Sequence, residues 1–294
     1  MLNKNTIIVT GGAGFVGSNL ISYLLKKTKL NIISIDNYSS GLKKNHNKNK
    51  RVKYIKANTR DIFKLIKNPK KIKAVFHFGE FARIYQSFIN MNECIESNTI
   101  GTNSIFNFCL KNKIKLIYSA TSASLGNKGK DKNLSPYAFT KAKNLELLEN
   151  LKKWFNFEFE VIYFYNVYGP KQISKGKMST VIGIFEEAYK NKKPLPVVKP
   201  GTQTRRFTHI DDTVKICYIA WKKNLCRHYS ISNKKSYSII NVAKLFDSKV
   251  KYLPRRAGER YVSALTNKNL SNRIYKYFGK VSLKKYIQDF IKNN

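Results

Sequence analysis

The chain has 294 residues, of which 42% are hydrophobic and 13% aromatic, and it carries a formal net charge of +39. This length and apolar content suffice for a packed core and argue against a disordered chain. The sequence contains no apolar run long enough to span a bilayer, and its first residues lack the order of a signal peptide. We therefore expect a cytoplasmic globular protein with no membrane partner.

The large positive charge has two interpretations. A charge of this size can attract nucleic acid or another polyanion. However, the lysines are scattered through every segment, and arginine, which binds phosphate in a bidentate manner, is scarce. We therefore favour compositional drift with some attraction for an anionic substrate, and expect any nucleic-acid binding to be non-specific. The four cysteines form neither a CxxC pair nor a zinc-ligand pattern, so we expect reduced core thiols and no metal site.

The first part of the chain alternates between predicted strands and predicted helices. The strands are 7–10, 31–35, 52–55, 74–78, 115–119 and 160–165, and the helices are 15–27, 93–110 and 137–155. This alternation predicts an α/β fold with a doubly wound parallel sheet of Rossmann type.

The composition changes after Gly169, where short clusters of proline and glycine begin. Three further helices are predicted in this half, at 179–190, 211–223 and 239–247. We therefore predict a first domain at 1–169 and a smaller, partly interleaved C-terminal cap at 170–294.

A glycine-rich turn, TGGAGFVG at 10–17, follows the first strand and opens the first helix. Gly11 permits the tight turn, Gly14 lets the backbone approach a pyrophosphate, and Gly17 allows the helix to pack closely on the strand. Asp36 lies 25 residues after Gly11, where a carboxylate can accept both hydroxyls of an adenosine ribose and repel a 2′-phosphate. We therefore predict that the cofactor is NAD rather than NADP. A simple tight turn and a capping aspartate are the alternatives.

The motif SPYAFTK at 135–141 completes a pattern that resembles the extended short-chain dehydrogenases/reductases, specifically their NAD-dependent nucleotide-sugar epimerases and dehydratases. In type, the UDP-glucose 4-epimerases are the most similar. The resemblance covers almost the whole chain and is carried, in order, by TGGAGFVG (10–17), IDNYSSG (35–41), VFHFGE (75–80), NTIGTN (98–103), YSATSASLG (118–126), YNVYGP (165–170), RRFTHIDD (205–212) and RRAGER (255–260). It implies NAD binding in residues 1–169 and nucleotide-sugar binding mainly in the cap.

Tyr137 and Lys141 lie four residues apart and therefore share one face of the predicted helix. A nearby ammonium lowers the pKa of a phenol. Tyr137 is therefore expected to remove a proton from a sugar hydroxyl while the carbon that carries this hydroxyl gives a hydride to NAD. The resemblance adds Thr121, which hydrogen-bonds the same hydroxyl. The predicted catalytic set is therefore Thr121, Tyr137 and Lys141, and an exposed Tyr–Lys pair without function is the alternative.

The same residue-by-residue resemblance assigns the remaining site residues. The cofactor set is Gly11, Gly14, Phe15, Val16, Gly17, Asp36, Asn37, Asn58, Thr59, Phe78, Gly79, Asn98, Tyr137 and Lys141. The substrate set is Thr121, Asn166, Arg205, Arg256 and Glu259. Its arginines suit a diphosphate, because their planar forks bond two oxygens at once. The chain departs from the family pattern at four positions that we expect near the substrate: Glu80, Ala82, Tyr163 and Arg206.

The residues after Thr121 bear on the reaction. The family's dehydratases carry an Asp–Glu pair there, and its decarboxylases carry a Glu at the position of Ala123, whereas Ser122 and Ala123 cannot act as carboxylic acids. We therefore predict C4 epimerisation of a UDP-sugar through a 4-keto intermediate. A reductase, dehydrogenase or dehydratase of the same family is the alternative, and a basic RNA- or polyanion-binding protein on this fold is the alternative of another class.

The resemblance also implies a homodimer that pairs through helices 93–110 and 137–154. These helices carry more apolar residues than one buried stripe requires. The residues concerned are Ile95, Ile105, Phe106, Phe108, Leu145, Leu147, Leu148 and Leu151. We therefore expect them at a subunit interface, with packing inside the monomer as the alternative.

Overall fold

The computed structural model describes residues 5–124, 133–258 and 274–294. In chain order the strands are β1 (Thr6–Thr10), β2 (Asn31–Asp36), β3 (Val52–Lys56), β4 (Ile72–His77), β5 (Lys115–Thr121), β6 (Phe159–Phe164), β7 (Val167–Tyr168), β8 (Leu195–Val198), β9 (Thr204–Arg206), β10 (Thr208–His209), β11 (His228–Ser232), β12 (Ser236–Ser238), β13 (Val250–Leu253) and β14 (Ile274–Phe278). The α-helices are α1 (Phe15–Lys27), α2 (Ile62–Leu65), α3 (Ile84–Ile89), α4 (Met91–Ile95), α5 (Thr102–Lys111), α6 (Pro136–Phe155), α7 (Val181–Lys190), α8 (Ile210–Lys223), α9 (Ile239–Lys244) and α10 (Leu283–Lys292).

Eight strands form one sheet in the order β14-β11-β6-β5-β4-β1-β2-β3, and all neighbouring strands are parallel. The chain order reverses at β1, since β2 and β3 extend the sheet on one side and β4 to β6 extend it on the other. Such a reversal leaves a crevice at the carboxyl ends of the strands, where α/β proteins bind their ligands. The predicted doubly wound parallel sheet is confirmed.

Apolar side chains cover both faces of this sheet. Within β1, Ile8 packs into the core beneath α5 and α6, whereas Ile7 and Val9 pack into the core beneath α1 and α8. Because successive side chains of a strand point to opposite faces, a strand buried on both sides needs a continuous apolar run. The β-branched sequence of β1 meets that requirement and places the glycine turn at a fixed point on the sheet.

Helix α6 carries the predicted catalytic pair and has well-defined ends. The Ser135 hydroxyl accepts from the backbone N–H of Ala138 at 3.1 Å, and Pro136 occupies the first helical position. Both residues favour a helix start here, because the cap satisfies a free N–H and proline has none to satisfy. The helix ends at Phe155, and the backbone of the next residue, Asn156, is left-handed with φ of +51°. Its rigid first turns therefore hold Tyr137 and Lys141.

Most predicted elements agree with the structure to within two residues at each end. Two predicted helices differ more. The helix predicted at 239–247 ends at Lys244. The helix predicted at 93–110 is instead α4, a π-helical segment over Glu96–Gly101, and α5. A π-helical turn adds a residue to the helix and rotates the side chains that precede it, as often happens near functional sites.

The second half of the chain contributes both to a separate core and to the main sheet. One buried cluster, centred on Phe185, Phe207 and Phe246, lies among α7, α9 and α10. However, β11 and β14 extend the main sheet, and Val214 and Trp221 of α8 pack on its face beside α1. The described residues include no helix that is long and apolar enough to cross a membrane.

The apolar residues that we expected at a subunit interface lie mainly in the core. Ile105, Phe106, Phe108 and Leu148 are buried in the monomer, because the two helices use that side to cover the sheet. Leu145, Leu147 and Leu151 are half-buried against the same core, and only Ile95 among the predicted residues is exposed. The exposed apolar residues from α3 to α6 include Tyr85, Phe88, Ile89, Met91, Ile95, Ile100, Leu134, Phe139, Trp154 and Phe155.

Candidate active site

Two adjoining cavities lie at the carboxyl ends of the sheet strands. The first, of about 200 Å³, follows β1 to β4, and the second, of about 440 Å³, follows β5 and β6 and extends into the second half of the chain. Four residues line both cavities: Phe15, Val16, Ala82 and Arg83. We refer to them as the cofactor cavity and the substrate cavity.

The cofactor cavity is built around the glycine turn. Gly11 has φ of +68°, and a Cβ there would lie 2.8 Å from the backbone of Phe78. A Cβ on Gly17 would lie 2.2 Å from the carbonyl oxygen of Gly11, so only glycine lets the first turn of α1 pack against β1. The predicted cofactor residues that line the cavity are Gly11, Gly14, Phe15, Val16, Gly17, Asp36, Asn37, Asn58, Thr59, Phe78 and Gly79.

Asp36 ends β2 on the wall of the cofactor cavity. Its Oδ2 accepts from the backbone N–H of Ala13 at 2.9 Å, and its Oδ1 accepts from that of Tyr38 at 2.8 Å. Burial raises the pKa of Asp36, while these backbone bonds oppose that shift. A Cβ on Gly41 would come within 2.7 Å of the carboxylate, so the glycine leaves this acceptor uncovered on that side. The carboxylate is therefore fixed where it can accept ribose hydroxyls, and the cavity fits a dinucleotide.

Asn98 and Lys141 differ from the rest of the predicted cofactor set, because neither lines either cavity. Asn98 is fully buried in the π-helical segment, which turns its amide toward Phe81. Its Oδ1 accepts from the Phe81 N–H at 2.7 Å, and its Nδ2 donates to the Phe81 carbonyl at 3.1 Å and to Thr140 Oγ1 at 3.2 Å. Asn98 therefore fixes the backbone of the segment after β4 without lining a cavity.

The substrate cavity brings together residues from both halves of the chain. Of the predicted substrate and catalytic residues, it is lined by Thr121, Tyr137, Asn166, Arg205 and Arg256. Glu259 lies outside the described residues. The Arg256 guanidinium lies 5.3 Å from the centroid of the Tyr85 ring, a distance at which the aromatic face attracts a cation. The remaining wall is largely apolar, which suits a base or sugar ring, and the arginines suit its phosphates.

The four departures from the family pattern have different positions. Ala82 lines both cavities, and Glu80 lines the cofactor cavity. Tyr163 and Arg206, which we expected near the substrate, line neither cavity. The Tyr163 hydroxyl contacts His228 Nδ1 at 3.0 Å, and Arg206 Nη1 donates to backbone carbonyls such as that of Asn233, at 2.7 Å. Both side chains are committed to contacts within the protein.

Tyr137 is 8% exposed and shares a hydrogen bond with Thr121. The pKa of its phenol is raised to about 12, chiefly by burial; the hydrogen bond with Thr121 lowers this pKa, the charge of Glu80 raises it, and the charge of Arg83 lowers it. We expected the Lys141 ammonium to bring this pKa below its usual value, and that expectation is wrong for the protein alone. Desolvation dominates, and the Lys141 ammonium is engaged elsewhere.

Lys141 is buried one helical turn after Tyr137. Its Nζ forms an ion pair with Glu80 and donates to the carbonyl of Ser119, and it lies 4.7 Å from the centroid of the Tyr118 ring. Burial lowers the pKa of Lys141, and Glu80 opposes this shift. The carboxylate of Glu80 therefore counteracts the effect of burial on the Lys141 pKa.

Sequence reasoning missed two residues of this region. Arg83 lies between the cavities, and its Nε donates to the carbonyl of Met178 at 2.9 Å. Its charge acts on Tyr137. Glu80 was noticed only as a departure from the family pattern. The only available signal was that both follow the buried strand β4, as functional residues of parallel sheets often do.

Comparisons with known proteins agree with this geometry. The sequence profile of the NAD dependent epimerase/dehydratase family matches residues 7–232. An uncharacterised UDP-glucose epimerase of Bacillus subtilis is 30% identical over 82% of this chain and 81% of its own length. A putative UDP-glucose 4-epimerase of Methanocaldococcus jannaschii is 27% identical over 98% of this chain and 99% of its own length.

A solved structure shows the same fold. The crystal structure of UDP-glucuronic acid 4-epimerase from Bacillus cereus, in complex with UDP-glucuronic acid and NAD, has a TM-score of 0.84 and 25% identity. The match covers 98% of this chain and 99% of that one. The family match also confirms NAD, which the glycine turn and Asp36 predicted, as the cofactor. The chain therefore belongs to the NAD dependent epimerase/dehydratase family.

Proposed function

We propose that this protein catalyses the NAD-dependent epimerisation of a nucleotide sugar, at C4 of a UDP-sugar, through a 4-keto intermediate. One observation carries the proposal: Thr121 and Tyr137 line the same cavity as Arg205 and Arg256, and that cavity adjoins the glycine turn. A proton acceptor and a positively charged wall are thus available to one substrate.

Each residue has a separate role in the proposed reaction. The residues of the cofactor cavity would hold NAD, which would supply the hydride acceptor for the sugar carbon. Tyr137 accepts the proton of the hydroxyl on that carbon, and its hydrogen bond with Thr121 orients the phenol. Arg205 and Arg256 hold the diphosphate. The cavity of about 440 Å³ would let the sugar turn about its diphosphate and present either face to the cofactor.

The residues beside Thr121 favour epimerisation over water loss or decarboxylation. Ser122 and Ala123 line the substrate cavity, and neither carries a carboxyl group that could deliver or remove a proton. Glu80 is the first acidic residue after β4, but its carboxylate forms an ion pair with Lys141. The wall next to Tyr137 therefore supports proton transfer by one group, which is what epimerisation at a single carbon requires.

The test is an NMR time course with UDP-glucose, UDP-galactose and their N-acetyl and uronate forms. We expect one C4 pair to interconvert while the absorbance at the NADH band shows no net reduction. Stoichiometric NADH formation would indicate a dehydrogenase, and stoichiometric NADH consumption would indicate a reductase. Loss of water or release of carbon dioxide would likewise reject epimerisation.

The proposal extends to the organisation of the protein. We propose a cytoplasmic homodimer with cofactor binding mainly in residues 1–169 and substrate binding mainly in 170–294. The exposed apolar residues on the helices from α3 to α6, such as Ile89, Ile100 and Phe139, support an interface on that side. Substrate binding by the second half of the chain is supported by Arg205 and Arg256, which belong to that half and line the substrate cavity.

A further inference from the structure

Glu80 lies in the segment after β4, and only 2% of its side chain is exposed. Its Oε1 accepts from Thr102 Oγ1 at 2.9 Å, from the Tyr118 hydroxyl at 3.0 Å and from Asn144 Nδ2 at 3.3 Å. Its Oε2 pairs with the Lys141 ammonium. Donors from α5, β5 and α6 thus converge on one carboxylate, which is how a buried anion is stabilised.

A chain of hydrogen bonds connects this carboxylate to the end of β1. Because an ionised carboxylate only accepts, Thr102 donates to Glu80 and accepts from His77 Nε2 at 3.0 Å. His77 Nδ1 then accepts from Thr10 Oγ1 at 2.7 Å, and Thr10 Oγ1 accepts from the Phe78 N–H at 3.0 Å. Burial lowers the pKa of His77 to about 4, in agreement with a neutral imidazole in this chain. Glu80 is therefore held rigidly.

The Lys141 ammonium depends on this carboxylate for its charge balance. The other titratable groups that act on it or on Glu80 are His77, Tyr118 and Cys94. Each of them is neutral at physiological pH, since burial lowers the pKa of His77 and raises the pKa of both the phenol and the thiol. Tyr137 faces the same Glu80 and Cys94, and also Arg83.

We propose that Glu80 is a positioning residue that keeps Lys141 charged and fixed one helical turn from Tyr137. The inference rests on the proposed function, and on Lys141 belonging to the catalytic set that the sequence predicts for it. In this arrangement Glu80 also reduces the positive charge that Tyr137 experiences. Tyr137 therefore relies on Arg83 and Thr121, rather than on Lys141 alone, to form its phenolate.

The variant Glu80→Gln tests this role, because it keeps the shape and removes the charge. A buried ammonium without a counter-ion binds its proton weakly, so the native pKa of Lys141 should move toward neutrality. NAD affinity should then decline as pH rises, and the ratio of the variant's kcat to that of the wild type should fall by about tenfold per pH unit above the new pKa. The wild type should lack this loss of NAD affinity.

The stability of the same variant should change in the opposite direction. Between the lowered native pKa of Lys141 and its unfolded value of about 10.4, the unfolded chain binds one more proton than the native protein. The free energy of unfolding of Glu80→Gln should therefore increase with pH relative to the wild type, as measured by denaturant titration between pH 6.5 and 9.5. A merely structural defect would lower stability and turnover alike at every pH.

Two control variants isolate the charge. Glu80→Asp keeps the carboxylate and should retain the wild-type pH dependence, although the shorter side chain lowers kcat. The double variant Glu80→Gln/Lys141→Met buries neither charge and should return to the wild-type pH dependence of stability. The proposal would be overturned if the free energy of unfolding still increased with pH, relative to the wild type, in the absence of Lys141. It would also be overturned if the free energies of unfolding of the wild type and Glu80→Gln changed in parallel with pH.

A measurement on the wild type keeps the proposal testable even when Glu80→Gln does not fold. The ¹⁵Nζ resonance of Lys141, assigned by its loss in Lys141→Met, should remain that of an ammonium at pH 9. A neutral amine at pH 8 would contradict the proposal. The ¹⁵N titration, the unfolding experiments and calorimetric NAD binding require no turnover, so they remain interpretable even when C4 epimerisation is not observed.

Discussion

Replacing Tyr137 by phenylalanine removes one hydroxyl from a side chain that is 8% exposed and leaves its ring in place. The lost hydrogen bond with Thr121 should lower the free energy of unfolding by about 1 kcal/mol. Turnover should fall far more, by about two to four orders of magnitude, because general base catalysis is typically worth that much. NAD affinity should remain close to that of the wild type.

The pH dependence adds a second, independent expectation. With a pKa of about 12, the phenolate of Tyr137 makes up about 10⁻⁵ of the population at pH 7 and gains tenfold with each pH unit. Because burial raises this pKa, the base form is scarce at neutral pH and becomes more abundant as pH rises. Wild-type kcat should therefore increase between pH 6 and 9, and the residual activity of Tyr137→Phe should not.

Tyr165→Phe is the matched control. Tyr165 is also a buried tyrosine, but it lines neither cavity, and its hydroxyl accepts from Ser230 Oγ at 3.2 Å. This variant should lose similar stability while retaining turnover, as followed by the NMR time course and by calorimetry with NAD. Full activity in Tyr137→Phe would refute the mechanism. An equal loss in Tyr165→Phe would show that packing, and not proton transfer, was affected.

Two further predictions concern the cofactor and the assembly. Asp36→Ala should weaken NAD binding by about tenfold to a hundredfold, since hydrogen bonds to a charged group contribute about 1.5–3 kcal/mol. It should also reduce the preference for NAD over NADP. Equal binding of NADPH and NADH by the unmodified protein in calorimetry would contradict this prediction. Sedimentation near physiological ionic strength should show a dimer. Ile100→Asp and Phe139→Asp should shift it toward monomer and Leu225→Asp, at an exposed residue after α8, should not; a monomeric wild type would contradict the interface.

The parts of the fold that were predictable from the sequence depend on local chemistry. The apolar run of β1, the glycine turn and the start of α1 at Phe15 are each encoded by neighbouring residues, and the structure has them where they were expected. The cofactor cavity follows from these elements and from Asp36, because parallel strands of known order bring their carboxyl ends together.

Side-chain direction and long-range pairing were less accessible. The family pattern aligned Tyr163 and Arg206 with substrate positions of the family. It could not show that the Tyr163 hydroxyl contacts His228 or that Arg206 donates to backbone carbonyls. The Glu80–Lys141 pair joins residues 61 positions apart, and only the packing of α6 against the sheet brings them together. The pKa of Tyr137 depends on burial, which the spacing of Tyr137 and Lys141 does not contain.

The contribution of β11, β14 and α8 to the main sheet has a consequence for protein engineering. A chain ending at Gly169 would leave the edge of β6 unpaired and would uncover the apolar face on which Val214 and Trp221 pack. Such a fragment would expose a strand edge prone to intermolecular pairing. Chimeras that exchange the second half of the chain between relatives should therefore keep 210–232 and 274–278 with residues 1–169.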